Sequence, residues 1–127
     1  MIKKLFAITL ALTITLAWIG ISYAQPSPPS QILRITTSTV LPDRRDQVLT
    51  IINEINRLYA ATKGVQWFKT GYDAFTGELV TVTLWNSSGD LAEFTNSEAR
   101  KVVVEKLRPL MQGDPLIKTY PVYESKK

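Results

Sequence analysis

The 127-residue chain contains neither cysteine nor histidine. The first absence excludes disulfides, iron–sulfur clusters, thiolate zinc sites, acylated lipoproteins and cysteine nucleophiles. The second excludes imidazole metal ligands, a histidine-ligated haem, Ser–His–Asp catalysis and the usual neutral-pH switch. Glycine is sparse. Gly64, Gly71, Gly77 and Gly89 are scattered singly, so the chain has no phosphate-cradling loop. The acidic residues show no metal-ligand spacing. Charge of one sign is also in short supply. The formal net charge of +4 falls to +2 once Lys3 and Lys4 are set aside with the amino-terminal segment, which excludes a strongly basic nucleic-acid binder. With 45% hydrophobic and 20% charged residues, the chain is neither disordered nor collagen-like.

What is present begins with an export signal. Met1-Ile2-Lys3-Lys4 is a basic start, Leu5 to Ile21 an apolar run, and Ser22-Tyr23-Ala24 a small-residue exit before Gln25. Residues 1–24 are therefore read as a signal peptide, which places the mature protein in the periplasm or outside the cell. The alternative is a retained amino-terminal anchor. The 17-residue run carries Thr9, Thr13 and Thr15, and it is short of the ~20 apolar residues that span a bilayer. No cationic stop-transfer cluster follows it, so cleavage is the expectation. Membrane contact is then expected only through an uncleaved signal. Residues 25–30 (QPSPPS) form a Pro/Ser linker, since three prolines remove backbone donors and favour extended geometry.

Residues 31–124 read as one α+β domain, with a short tail at 125–127. Ile32 to Val40 is rich in β-branched residues and predicts a strand. Leu41-Pro42-Asp43 stops it, and Asp43 is the predicted N-cap of a helix of about 20 residues. Val48, Leu49, Ile51, Ile52, Ile55, Leu58 and Tyr59 give that helix its apolar stripe, and Lys63-Gly64 ends it. Val65 to Tyr72 and Leu79 to Trp85 predict two further strands, joined by the turn residues 73–78. Ser87 and its neighbours can cap a short helical turn, Leu91 to Phe94, and Asn96-Ser97 can cap a longer helix that Pro109 ends near Arg108. Leu116 to Tyr123 predicts the last strand, with Pro121 marking an edge or a bulge.

The strands carry apolar residues on both faces. Val80, Val82 and Leu84 share one side of the third strand, while Leu79 and Trp85 share the other with Thr81 and Thr83. A sheet with one wet face alternates cleanly. The helices of so short a domain cover one face only, so the other is expected to meet a second copy. A homodimer follows, and a charge at Val82 or at its neighbour Thr83 should break it.

The element order, the Pro42-Asp43 helix start and Leu84-Trp85-Asn86-Ser87 followed by Leu91 and Phe94 resemble the antibiotic biosynthesis monooxygenase (ABM) family, a branch of the dimeric α+β barrel proteins. The resemblance implies a ferredoxin-like βαββαβ fold, a four-stranded antiparallel sheet with helices on one face, and face-to-face pairing of two sheets. It also implies cofactor-independent oxygenation of a small quinol or polyphenolic aromatic. The family's haem-degrading branch uses an asparagine, a tryptophan and a histidine, whose positions fall near Thr36 and on Phe94 and Val104 here. All three differ, and valine cannot ligate iron, so neither haem degradation nor any cofactor or metal is expected.

Several aromatics (Trp67, Tyr72, Trp85, Tyr120 and Tyr123) offer flat, polar-tipped rings for an aromatic pocket. The plainer alternative makes Trp67, Trp85 and Phe94 packing residues. Threonines at 36, 37, 39, 81 and 83, with Ser38, offer hydroxyls, although β propensity alone explains threonine on strands. The candidate ligand-pocket residues are Thr36, Trp85 and Phe94. A non-catalytic dimeric binding or interaction protein on the same fold is the alternative function.

Overall fold

The computed structural model describes residues 30–123. The predicted signal at 1–24, the linker up to residue 29 and the tail at 125–127 lie outside the described residues. Strand β1 (Ile32–Thr39) leads through a 3-10 turn (Pro42–Gln47) into helix α1 (Val48–Ala60). The hairpin β2 (Val65–Tyr72) and β3 (Glu78–Trp85) follows, then α2 (Ser88–Thr95), α3 (Glu98–Leu107), a second 3-10 turn (Arg108–Leu110) and β4 (Leu116–Pro121). The sheet order is β2-β3-β1-β4, with every neighbouring pair antiparallel. Three helices lie on one side of it. This is the ferredoxin-like α+β architecture.

The helix starts show which sequence signals act. Pro42, with no N–H to leave unpaired, occupies the first turn, so Leu41 takes the cap position and no side chain caps there. The expected single helix is therefore a 3-10 turn followed by α1, and Asp43 sits within the first turn as a favourable charge. The serine caps work as expected. Ser87 accepts from the Asp90 N–H at 3.1 Å, and its hydroxyl donates to the Asp90 carboxylate at 3.0 Å. Ser97 accepts from the Arg100 N–H at 3.3 Å. Each cap is worth ~1 kcal/mol. Gly64 has φ +92°, and a Cβ there would run into Asp90, so this connection admits only glycine. Strand β4 lies at the sheet edge and stops at Pro121, short of the expected Tyr123.

Strand register divides the side chains between the two faces. Arg34 pairs with Thr83, Thr36 with Thr81 and Ile32 with Trp85, all on the face beneath the helices. Two clusters fill that layer. One is aliphatic, around Val40, Ile51, Leu79 and Leu107. The other is aromatic, built from Tyr59, Trp85 and Phe94 with Ile32, Val65 and Phe68 packed on it. Each fully buried aliphatic side chain contributes ~1.5–3 kcal/mol through loss of apolar surface to water. The opposite face carries Leu33, Ile35, Val80, Val82 and Leu84, with Trp67 of β2 and Leu116 and Tyr120 of β4 beside them. No helix covers it.

Candidate functional site

Between the aliphatic and aromatic clusters lies a cavity of about 150 Å³. Its floor is the sheet: Arg34, Thr36 and Ser38 from β1, Leu79 and Thr81 from β3, and Ile117 from β4. Its roof is helical, with Ile55, Leu58 and Tyr59 from α1, Phe94 from α2, and Arg100, Val103, Val104 and Leu107 from α3. Exposed Arg108, Gly113, Asp114 and Pro115 border it toward solvent.

One charged side chain stands out within it. Arg34 is 5% exposed, in mid-strand, on the face that should be driest. Its Nη1 donates to Thr95 Oγ1 at the long distance of 3.5 Å, and its Cζ lies 6.0 Å from the centre of the Phe94 ring. Its Nε–H is buried and has no acceptor among the described residues. Among the described residues the ion pairs join Glu54 to Arg57 and Lys106, Glu98 to Lys101 and Glu105 to Arg108, and none includes Arg34. Burying an unpaired charge costs several kcal/mol. A cation is retained here without a counter-charge among the described residues.

Thr95 holds the arginines together. Its hydroxyl donates to the Leu91 carbonyl at 2.8 Å and accepts from Arg34, while its carbonyl accepts from Arg100 Nη1 at 3.4 Å. The phenol of Tyr59 lies in the field of both guanidinium groups. Burial lowers the Arg34 pKa, Tyr59 offsets part of that, and Arg100 adds to it. Because an arginine starts so far above neutrality, the guanidinium stays charged. Burial raises the Tyr59 pKa above that of an ordinary phenol, and the two arginines partly oppose the rise. The phenol keeps its proton at neutral pH and serves as a donor. A cation, a phenol and the hydroxyls of Thr36, Ser38 and Thr81 thus line a largely apolar space. Such an arrangement holds an anionic oxygen on a flat, apolar body.

The sequence candidates divide. Thr36 and Phe94 line the cavity, as does Val104. Trp85 is fully buried and lies outside the lining, with its ring centre 5.0 Å from that of Phe94. Its indole N–H donates to Thr83 Oγ1 at 2.8 Å, and that hydroxyl donates onward to the Arg34 carbonyl at 3.4 Å. Trp85 therefore braces the strand that carries Arg34. Trp67, Tyr120 and Tyr123 are exposed and Tyr72 packs on the aliphatic cluster, so these proposed pocket aromatics do not line the cavity. Sequence reasoning passed over Arg34, Tyr59 and Arg100. The available signal was parity: Arg34 lies two residues from Ile32 and from Thr36, in phase with the covered face.

No family model matches the chain, and no curated protein matches it significantly. Solved structures do. A Caulobacter crescentus protein assigned to the antibiotic biosynthesis monooxygenases is 17% identical, with a TM-score of 0.66 over 76% of this chain and 92% of that one. SnoaB, a cofactor-independent oxygenase from Streptomyces nogalater, is 9% identical, with a TM-score of 0.65 over 76% of this chain and 96% of its own. A hydroxynitrile lyase from Passiflora edulis is 16% identical, with a TM-score of 0.65 over 79% and 100% of the two chains. The fold is that of the ABM structures. At these identities the likeness fixes the architecture, and the site must carry the chemistry.

Proposed function

We propose that the chain is an exported ABM-fold protein that takes a small, electron-rich aromatic such as a quinol into its cavity and oxygenates it without a cofactor. The carrying observation is the convergence of Arg34, Tyr59 and the strand hydroxyls on an apolar cavity. A phenolate can pass an electron to dioxygen, and the two radicals join at a ring carbon as a hydroperoxide. Loss of water with that carbon's hydrogen leaves a carbonyl. One oxygen atom ends in the product and the other in water, so no external reductant is used. The protein's part is to stabilise the anion and keep bulk water away. Arg34 supplies the positive charge, and Tyr59 a protonated hydroxyl.

The export reading rests on the basic start, apolar run and small-residue exit of residues 1–24. Mass spectrometry of protein from the native envelope fraction is expected to find a chain starting at or near Gln25, whereas a membrane-retained full-length form would leave the anchor reading. Pairing of two copies through the bare apolar face is supported by Leu33, Ile35, Val80, Val82 and Leu84, which no helix among the described residues covers. Oxygen uptake by the purified protein across a panel of quinols tests the activity. Saturable binding of such compounds with no uptake would favour the non-catalytic binding protein, a role the same cavity can also serve.

A further inference from the structure

We infer that the cavity's ligand is a single-ring aromatic anion whose carboxylate or phenolate oxygen pairs with the buried Arg34. The inference rests on the functional reading above and narrows it to a substrate class.

Size sets the first limit. A cavity of about 150 Å³ is the size that a dry apolar pocket needs to accept one benzene ring. Two or three fused rings would extend past it toward the exposed border at Arg108 and Pro115. The apolar walls around Leu79, Phe94, Val103 and Leu107 suit the faces and edges of that one ring.

Charge sets the second. Arg34 is 95% buried, has an undonated Nε–H and forms no ion pair among the described residues. Arg100 adds positive charge, held toward the same site by the Thr95 carbonyl. The acid that lines the cavity, Asp114, is exposed on its border. A neutral ring would leave the guanidinium without a counter-charge, whereas an anion removes the burial penalty on both partners at once. Inorganic anions would meet the charge and waste the apolar walls. A quinol monoanion and a hydroxylated benzoate each combine the anion, the single ring and an oxidisable phenol.

The test is calorimetric titration of the purified protein with benzoate, 4-nitrophenolate, neutral benzamide and a tricyclic aromatic carboxylate. Saturable one-to-one binding of a single-ring anion is expected, with benzamide about 10-fold to 100-fold weaker for want of a charge-assisted hydrogen bond. Benzoate and 4-nitrophenolate separate the carboxylate from the phenolate as the favoured anion. Arg34→Met should abolish the preference for anion over amide. The wild-type panel decides the matter even if that variant folds poorly. Equal binding of benzoate and benzamide, tighter binding of the tricyclic acid, or no binding of either single-ring anion would overturn the assignment. Oxygen uptake is measured separately. Anion-selective binding without uptake by any dihydroxybenzoate or quinol keeps this site and removes the oxygenase reading. Uptake with neutral or polycyclic quinols, without anion preference, does the reverse.

Discussion

The two faces of the sheet are inverted with respect to an ordinary half-covered sheet. Beneath the helices, where apolar residues belong, the centre carries Arg34, Thr36, Ser38, Thr81 and Thr83. On the bare side, where polar residues belong, it carries Leu33, Ile35, Val80, Val82 and Leu84. Stability alone would not choose either arrangement. The covered face sacrifices packing at its middle and recovers it at both ends, through the aliphatic and aromatic clusters. The bare face is the surface proposed to meet a second copy. Strands β1 and β3 both take part in the two faces through simple alternation.

That contrast can be broken most sharply at two neighbouring positions. Thr83→Glu puts a carboxylate at a position that is 1% exposed. The longer side chain overpacks a filled site beside Arg34 and removes the hydroxyl that accepts from Trp85, which should cost about 1–3 kcal/mol and lower the melting temperature. Thr83 lies on the covered face and so does not test the proposed interface; its neighbour Val82 does. Val82→Glu is expected to keep the fold and, in light scattering, to shift the mass from dimer to monomer. The association constant should fall by about 100-fold or more, because symmetry brings two carboxylates together. A Val82→Glu protein that stays dimeric would show that the bare face is not the interface.

Arg34→Met sharpens the comparison by restoring an ordinary covered face. Without ligand it should raise stability to chemical denaturation by about 1–4 kcal/mol, since an apolar side chain replaces an unpaired buried charge. A destabilised variant would mean that Arg34 serves the fold. Trp85→Phe keeps the aromatic packing and removes the N–H to Thr83, at a cost of about 1 kcal/mol in the same measurement.

The smallest effect belongs to the hairpin turn outside both faces. Asp73 accepts N–H donors from Phe75 at 2.8 Å and Thr76 at 3.4 Å, and these hold its carboxyl below the usual range. A lowered folded-state pKa stabilises above the unfolded value of about 3.9 and loses that contribution as pH falls through the folded value. Asp73→Ala should therefore lower the melting temperature slightly at pH 7, with the difference from wild type closing below about pH 4. A gap independent of pH would assign the effect to the backbone alone.

The fold was legible where local chemistry decides it. The alternation in Leu79–Trp85 placed each side chain of β3 on its face, and Ser87 and Ser97 marked two helix starts. Asp43 misled because a proline already occupied the first turn. The site was legible only in part. Thr36 and Phe94 could be placed by resemblance, and both line the cavity. Trp85 could not be separated from them in sequence, because lining a cavity and standing behind its wall differ by a few ångströms that only packing determines. Arg34 and Tyr59 come together from β1 and α1, and no sequence spacing encodes that meeting.

Residues 25–127 hold two tryptophans, and the sheet places one on each side of itself. Trp85 is sealed from water, with its indole N–H tied to Thr83, while Trp67 is 42% exposed on the bare face. Their emission should divide accordingly, short-wavelength and shielded from iodide for Trp85, longer-wavelength and quenchable for Trp67. This part of the chain thereby carries its own pair of optical reporters. A change confined to the quenchable component on dilution would record the fate of the bare face, and a change confined to the shielded one would record events beside Phe94.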